Sequence, residues 1–281
     1  MPKASTPKTK KKSSKTEDVE KALEESITTS KVTKTVAKPV KATKPVSKPS
    51  SDVRVPTGIE GVDELVNGGL LPGSLTLVTG TTGTGKTIFS SQFLYNGATK
   101  YNEKGVYVSF EEPTDNIKEH AKKFGWDFAD LEKKGMIKFV RYDPYHIEDV
   151  YELIESQIKQ LGATRVVIDS ISALGLYVRD SPELRRMIFN IALLLRKLKV
   201  TTILTSEILP DQKALSRFGV EEFVADGIIV LYYLRTDSQY SRSTTVWKMR
   251  GTEHSHKLHP YLIQSGKGIV VYPKEEAFIK M

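Results

Sequence analysis

The segment from Gly80 to Thr87 constrains this chain more than any other part of the sequence. It reads Gly-Thr-Thr-Gly-Thr-Gly-Lys-Thr and matches the pattern G-x-x-x-x-G-K-[ST] at every fixed position. An apolar stretch typical of a buried strand, Ser74–Gly80, leads into it, and the pattern predicts a helix over Ile88–Ala98 directly afterwards. Glycines at this spacing let the backbone point its N–H groups inward, and the helix adds its positive N-terminal end. The segment therefore predicts a loop that binds phosphate.

The side chains of this loop indicate which phosphate compound it takes. The Lys86 ammonium can reach the β- and γ-oxygens of a nucleoside triphosphate, and the Thr87 hydroxyl can ligate Mg²⁺. We therefore expect ATP and Mg²⁺ as ligands. The predicted nucleotide-binding residues of the loop are Gly80, Thr81, Thr82, Gly83, Thr84, Gly85, Lys86 and Thr87.

Strand and helix patterns alternate from Val53 onward, which favours a parallel sheet flanked by helices. A helix that begins near Val150 ends at Gly162, and another begins at Ser181-Pro182, with Ser181 as the expected N-cap. The connections are short, so we expect one α/β domain over residues 53–281 with a mainly parallel central sheet. The further predicted strands are Val106–Phe110, Arg165–Asp169, Thr201–Ser206, Gly227–Leu234 and Thr244–Met249.

Acidic residues follow several of these strands. Asp169 ends one strand, Glu111 and Glu112 follow another, and Glu207 follows a third. Carboxyl ends of parallel strands meet at one edge of the sheet, where ligands gather. We expect Asp169 to hold Mg²⁺ with Thr87, and Glu111 or Glu112 to orient the attacking water as a catalytic residue together with Lys86. Glu207 is a weaker candidate for contact with the γ-phosphate.

Residues 1–52 differ in composition from the rest of the chain. They contain 13 Lys, 6 acidic residues and no aromatic residue, and so carry +7 of the formal net charge of +8. Such a segment buries too little apolar surface to offset its ordering entropy, which predicts a disordered arm. The arm is either a solvated extension or a weak electrostatic contact for nucleic acid. Only Glu17–Ile27 has the pattern of a short helix.

Composition excludes several classes of protein. The chain has no Cys, so disulfides, thiolate zinc sites and Cys nucleophiles are excluded, and a cytoplasmic location is expected. No apolar run approaches the roughly 20 residues that a membrane helix needs, so we expect no membrane span. The near-neutral remainder of the chain gives no sign of a nucleic-acid groove.

Taken together, the motifs resemble the KaiC-like branch of the RecA superfamily, over essentially all of residues 53–281. The resemblance implies a RecA-like P-loop NTPase fold. The segments that carry it are Thr57–Leu65, Asn67–Gly73, the phosphate-binding loop, Ser109–Glu112, Asp169-Ser170, Arg217–Asp226 and Lys248–His254.

The resemblance implies roles that the residues alone leave open. Glu111 would be the catalytic carboxylate, with Glu112 supporting it. Lys248 and Arg250 would reach the phosphates of ATP bound by a neighbouring subunit, with His254 nearby; basic residues on an edge strand are otherwise usually solvated. The implied assembly is a homo-oligomer, a hexameric ring with ATP at its interfaces, which passes its nucleotide state to a regulatory protein partner.

Two departures from the two-domain circadian KaiC narrow the expected function. This chain has one such domain, and Glu221-Glu222 stand where the autophosphorylated hydroxyls would align. We therefore expect ATP hydrolysis without autokinase activity. The alternatives are an ATP-dependent single-stranded DNA-binding recombinase paralogue that assists recombination or repair, and a scaffold that binds ATP without hydrolysing it.

Overall fold

The computed structural model describes residues 53–142, 149–178, 180–209, 214–236 and 239–277. Its central sheet has the strand order β3-β2-β4-β5-β1-β6-β7-β8-β9. Strands β1 to β6 pair in parallel, whereas β7, β8 and β9 join one edge by antiparallel pairing. The strands are β1 (Leu75–Gly80), β2 (Gly105–Ser109), β3 (Ile137–Arg141), β4 (Arg165–Asp169), β5 (Thr201–Glu207), β6 (Gly227–Thr236), β7 (Gln239–Met249), β8 (His259–Gln264) and β9 (Gly268–Val271).

Helices cover both faces of this sheet. They are α1 (Val62–Leu65), α2 (Lys86–Lys100), α3 (Thr114–Lys122), α4 (Phe128–Lys133), α5 (Val150–Leu161), a 3₁₀ helix (Ile171–Leu176), α6 (Ser181–Lys197) and α7 (Glu221–Val224).

The core forms two layers, one on each face of the sheet. Successive side chains of a strand point to opposite faces. In β2, Val106 and Val108 pack with residues of α5 and α6, while Tyr107 packs with residues of α2, α3 and α4. A strand that is covered on both faces has a mainly apolar sequence without polar alternation, as β1 and β4 do.

Local signals explain the helix ends. Gly162 ends α5 in the left-handed conformation, with φ of 68°, as its position predicted. The expected N-cap of α6 was wrong by one residue. Asp180 is the N-cap, because its carboxylate accepts from the Glu183 amide at 3.1 Å, and Ser181 is the first helical residue.

The register of the parallel strands brings the candidate acids to one edge. Gly80 pairs with Glu207 across β1 and β5, and Ser109 pairs with Asp169 across β2 and β4. Glu111 follows Ser109 by two residues. The loop after β1 and the acidic ends of its neighbours therefore face the same space.

The fold class predicted from the sequence is confirmed, but three strands were not predicted: β3, β8 and β9. The predicted arm, residues 1–52, lies outside the described residues, and the boundary at residue 53 stays a prediction. Over the described ranges, no helix combines the length and the apolar character that crossing a bilayer requires.

Candidate functional site

The phosphate-binding loop connects β1 to α2, as the sequence predicted. Gly83 and Gly85 adopt left-handed conformations, with φ of 83° and 93°, which side chains with a Cβ rarely adopt. Gly80 is needed for a different reason. A Cβ on it would lie 2.3 Å from the carbonyl oxygen of Leu231 in the adjacent strand β6. The loop geometry thus requires all three glycines of the segment.

Hydrogen bonds hold the loop in shape. The Thr84 hydroxyl donates to the Thr81 carbonyl at 2.8 Å, and the Tyr261 hydroxyl donates to the Thr84 carbonyl at 2.6 Å. Thr82 donates to the Glu207 carboxylate at 2.6 Å. Strands β5 and β8 therefore contribute to the position of the loop, which the motif alone does not show.

The Lys86 ammonium lies over its own loop. It donates to the carbonyls of Gly80 and Thr81 at 2.9 and 3.1 Å. Burial lowers the pKa of Lys86, and the nearby carboxylates of Glu207, Asp169 and Glu111 oppose that shift. A phosphate that takes the place of these neutral carbonyls would give the ammonium a charged partner.

Asp169 is buried at the carboxyl end of β4 and accepts two hydroxyl donors. Tyr107 donates to Oδ2 at 2.5 Å, and Thr205 donates to Oδ1 at 2.5 Å. These bonds come from the strands on either side of β4, so the carboxylate is fixed from both flanks. Burial, followed by the charge of Asp169, raises the pKa of the Tyr107 hydroxyl, which therefore stays a donor.

These oxygen donors fit Mg²⁺. The carboxylate has lone pairs beyond those used by Tyr107 and Thr205, and the Thr87 hydroxyl lines the same cavity. In the described part of the chain, no cluster of three or more His, Cys, Asp or Glu residues is placed to hold a metal ion. Mg²⁺ commonly keeps several waters and binds one or two carboxylates together with substrate phosphates, so a partial protein ligand set suits it.

Glu111 and Glu112 follow β2 and line the cavity beside Asp169. The Ser170 hydroxyl lies 3.4 Å from Glu111 Oε2. Glu112 lies 3.5 Å from His120 Nδ1, and its backbone carbonyl accepts from Ser109 at 2.5 Å. Burial raises the pKa of Glu112, and His120 opposes the shift. Glu112 is thus engaged with helix α3, whereas the more exposed Glu111 carboxylate faces the cavity.

The cavity has a volume of about 630 Å³ and unites most of the predicted site. Its wall is formed by Thr82, Gly83, Gly85, Lys86, Thr87, Ile88, Glu111, Glu112, Asp169, Ser170, Glu207, Arg242 and Ile263.

Lys248, Arg250 and His254 lie outside this cavity wall. The Lys248 ammonium donates to the carbonyls of Glu222 and Ala225 at 3.0 and 2.7 Å, and burial lowers its pKa. Arg250 borders a separate surface cleft, and His254 Nδ1 lies 3.0 Å from the Ser255 carbonyl oxygen. Within one chain, the structure does not bring these three residues to the loop.

Three side chains of the site were missed by the sequence analysis. Tyr107 and Thr205 could have been suspected from the sequence, because a hydroxyl inside an otherwise apolar strand needs a buried hydrogen-bond partner. No feature of the sequence predicts the position of Arg242, on β7, because its approach to the loop depends on how the β6–β7 pair lies against β1.

A glycine-rich loop between a parallel strand and a helix, faced by an acid at the end of a nearby strand, defines a P-loop nucleotide-binding domain. A family model described as "ATPase: KaiC" matches residues 55–276. The chain belongs to this KaiC family of ATPases.

Individual relatives differ in length. The chain is 38% identical over 242 residues to the circadian clock oscillator protein KaiC of Thermostichus vulcanus, a match that covers 82% of this chain and 47% of that protein. It therefore spans about half the length of these clock proteins. A UPF0273 protein of Methanocaldococcus jannaschii is 38% identical over 237 residues, which cover 78% of this chain and 96% of that protein. The crystal structure of a KaiC-like protein from Pyrococcus horikoshii superposes with a TM-score of 0.73 and 41% identity, covering 79% of this chain and 99% of that one.

Proposed function

We propose that the protein binds ATP with Mg²⁺ and hydrolyses it to ADP and phosphate. One observation carries this proposal: a single cavity collects Lys86 and Thr87 from the loop, Glu111 from the end of β2 and Asp169 from the end of β4. Phosphoryl transfer depends mainly on positioning and on charge stabilisation, and these are the groups that supply both.

Each residue has a defined part in this proposal. The loop N–H groups and Lys86 hold the phosphates, while Thr87 and Asp169 hold the metal, with Tyr107 and Thr205 fixing the carboxylate. Mg²⁺, when bound, neutralises charge on the phosphates. Glu111 accepts a hydrogen bond from the attacking water and orients it. Glu112, paired with His120, supports the turn that carries Glu111.

We further propose that the active form is a homo-oligomeric ring, a hexamer in which Lys248 and Arg250 serve the nucleotide of the adjacent subunit. Neither residue belongs to the wall of the cavity in its own chain, which is compatible with a role at another subunit. Arg250 lies 3.4 Å from Asp226 and is half-exposed, so a phosphate can replace that weak surface ion pair. Because relatives of this chain are clock proteins, we propose that its nucleotide state is passed to a protein partner.

The test is ATP hydrolysis with Mg²⁺, measured per subunit over a series of protein concentrations. Lys86→Ala and Glu111→Gln should each lower the rate by at least about 10²-fold. Arg250→Ala should remove the rise of activity with concentration, whereas Lys159→Ala, on an exposed face of α5, should behave as wild type. Unchanged activity per subunit at the lowest concentrations would contradict the shared site. No hydrolysis at any concentration would leave only ATP binding.

Autophosphorylation at Glu221-Glu222 is not expected. Glu221 is buried and accepts from Ser206 at 2.9 Å, and Glu222 accepts a hydrogen bond from Ser216. Ser216 itself is fully buried. Stable label from γ-labelled ATP on this serine would contradict the expected absence of autokinase activity.

One surface feature favours the alternative function, single-stranded DNA binding. A cleft of about 720 Å³ is bordered by four arginines and by Phe223, whose side chain is 74% exposed. Guanidinium groups and aromatic rings are the groups that bind backbone phosphates and stack on bases. Salt-sensitive DNA binding that is lost in Arg185→Ala and Phe223→Ala would support this function. Binding that survives both changes would point to the lysine-rich arm instead.

A further inference from the structure

The segment that joins β7 to β8, residues 250–258, carries Arg250 and His254, which lie outside the wall of the nucleotide cavity in their own chain. We call this segment the connector. Its backbone turns at its start and is irregular beyond the turn, and its residues are partly or fully exposed. A loop of this kind is usually mobile, and a mobile loop cannot place a side chain accurately on a partner. The connector therefore needs contacts that fix it.

Ser255 is a residue at which the connector is held. Its backbone N–H donates to the carbonyl of Leu65, the last residue of α1, at 2.9 Å. Its own carbonyl oxygen lies 3.0 Å from His254 Nδ1. Because a carbonyl only accepts, this contact places a proton on Nδ1 and restrains the orientation of the His254 ring. The orientation of that ring therefore depends on the position of Ser255.

The side chain of Ser255 forms a buried pair with His259, the first residue of β8. His259 is 2% exposed, and its Nδ1 lies 2.9 Å from the Glu275 carbonyl oxygen. The carbonyl only accepts, so Nδ1 donates, and the Nε2 of a neutral imidazole is then an acceptor. The Ser255 hydroxyl, 2.7 Å away, donates to Nε2 and accepts from the Lys257 backbone N–H at 3.2 Å. Both ring nitrogens and the hydroxyl are thus paired.

Strand β8 links this pair to the phosphate-binding loop. His259 and Tyr261 are two residues apart in β8, so their side chains lie on the same face of the strand, and both are buried. The Tyr261 hydroxyl donates to the Thr84 carbonyl of the loop at 2.6 Å. One strand therefore holds the loop of its own chain through Tyr261 and the connector through His259.

We propose that His259 is a positioning residue for the shared nucleotide site: through Ser255 it holds the His254 ring on the face of the connector that meets an adjacent copy. This inference rests on the proposed function, which assigns Arg250, the first residue of the same connector, to the nucleotide of that copy. Phosphoryl transfer depends on positioning, and a displacement of about 1 Å that arises far from the reacting atoms can lower the rate about 10²-fold. Loss of the bond between Ser255 and His259 therefore lowers the rate without removing a group that touches ATP.

The experiment measures hydrolysis of Mg·ATP by the full-length protein over series of protein and ATP concentrations. Ser255→Ala removes the donor to Nε2 and should lower kcat/KM of the concentrated protein about 10-fold. Ser255→Thr keeps the hydroxyl and should recover most of that loss. His259→Gln keeps an acceptor near the place of Nε2, whereas the shorter side chain of His259→Asn does not reach Ser255. The Gln variant should therefore retain more activity than the Asn variant.

Two measurements separate positioning from a general structural role. In Ser255→Ala, the affinity of the dilute protein for Mg·ADP should change less than about 2-fold, because the cavity of the same chain is intact and distant sites act independently. Ser255→Ala combined with His254→Ala should lose no more activity than His254→Ala alone, because the pair acts through that ring. Ser156→Ala, which removes a serine hydroxyl from α5, is the matched control and should behave as wild type.

The outcomes separate this inference from the proposed function. Wild-type kinetics in Ser255→Ala, or losses that add in the double variant, would overturn the inference and leave the proposed function in place. Wild-type activity in His254→Ala would overturn it as well. If Arg250→Ala keeps the concentration dependence of wild type, the shared site itself fails, and the inference fails with it. Thermal unfolding shows whether each variant is folded, and should His259→Asn not fold, Ser255→Ala decides the question.

Discussion

Gly97, in the last turn of helix α2, offers a sharp test of how the domain is held together. Glycine inside a helix costs about 1 kcal/mol relative to alanine, so helix propensity alone predicts that Gly97→Ala stabilises the protein. Packing predicts the opposite. A Cβ at this position would lie 2.5 Å from Cδ, 2.7 Å from Nε and 3.0 Å from Cζ of the buried Arg165 side chain.

The size of the effect depends on whether Arg165 can move. Its Nε donates to the Glu103 carboxylate, its Nη1 to the Phe93 carbonyl at 3.0 Å and its Nη2 to the Pro56 carbonyl at 2.8 Å. Moving the guanidinium breaks the two carbonyl contacts, and hydrogen bonds to a charged group contribute about 1.5–3 kcal/mol each. After subtracting the gain in helix propensity, Gly97→Ala should lower the free energy of unfolding by about 2–5 kcal/mol.

The assay is equilibrium unfolding in urea for wild type, Gly97→Ala, Arg165→Ala and the double variant. Once Arg165 is truncated, the obstruction is gone, so Gly97→Ala should then raise the free energy of unfolding by up to about 1 kcal/mol. Thr99→Ala, on the exposed side of the same helix, is the control and should be mildly stabilising. A Gly97→Ala variant that is as stable as wild type, or more so, would refute the reasoning.

Two further predictions concern the site. Tyr107→Phe removes the donor to Asp169 Oδ2, so the Mg²⁺ concentration for half-maximal hydrolysis should rise about 10-fold or more; an unchanged Mg²⁺ titration would argue against a metal role for Asp169. Burial lowers the pKa of Lys86 below its usual 10.5, and only the protonated ammonium attracts phosphate. Affinity for Mg·ADP should therefore fall as the pH rises toward 10, and the fall should begin below 10.5. Lys86→Arg, which stays charged in this range, should show no such fall, and parallel pH profiles would contradict the assignment.

The parts of the fold that the sequence predicted are those with a local physical cause. The loop from Gly80 to Thr87 is contiguous, and its glycines, lysine and threonine each meet a requirement of phosphate binding. Strand β4 is predicted with the bounds that the structure shows, Arg165–Asp169, because it is buried on both faces and reads as an apolar run. Asp169 and Glu111 share one edge of the sheet because parallel strands align their carboxyl ends.

The strands that were missed lie away from this buried centre. In β3, at one edge of the sheet, exposed Lys138 and Arg141 interrupt the apolar pattern. Pro260 lies within β8, and a proline usually argues against a strand. Gly268 opens β9 with φ of 84°. β3 and β9 are the two edge strands, and β8 lies next to β9, so none of the three has the continuous apolar sequence that identifies the central strands.

The charged residues of the site show why the sequence around a residue does not always predict its role. In the proposed ATP site, the phosphates add negative charge to a wall that already holds more carboxylates than cations, so the proposal includes Mg²⁺ and a further cation. Arg242 lines this cavity in the same chain, whereas the role proposed for Arg250 requires another copy of the chain. Both are basic residues on strand β7 or just after it, and nothing in their sequence neighbourhood separates the two roles. The fold separates them, because β7 carries Arg242 to the Gly83 carbonyl and leaves Arg250 beside Asp226. Loss of concentration-dependent hydrolysis in Arg250→Ala, beside unchanged concentration dependence in Lys159→Ala, would support the role proposed for Arg250 at the nucleotide of an adjacent copy.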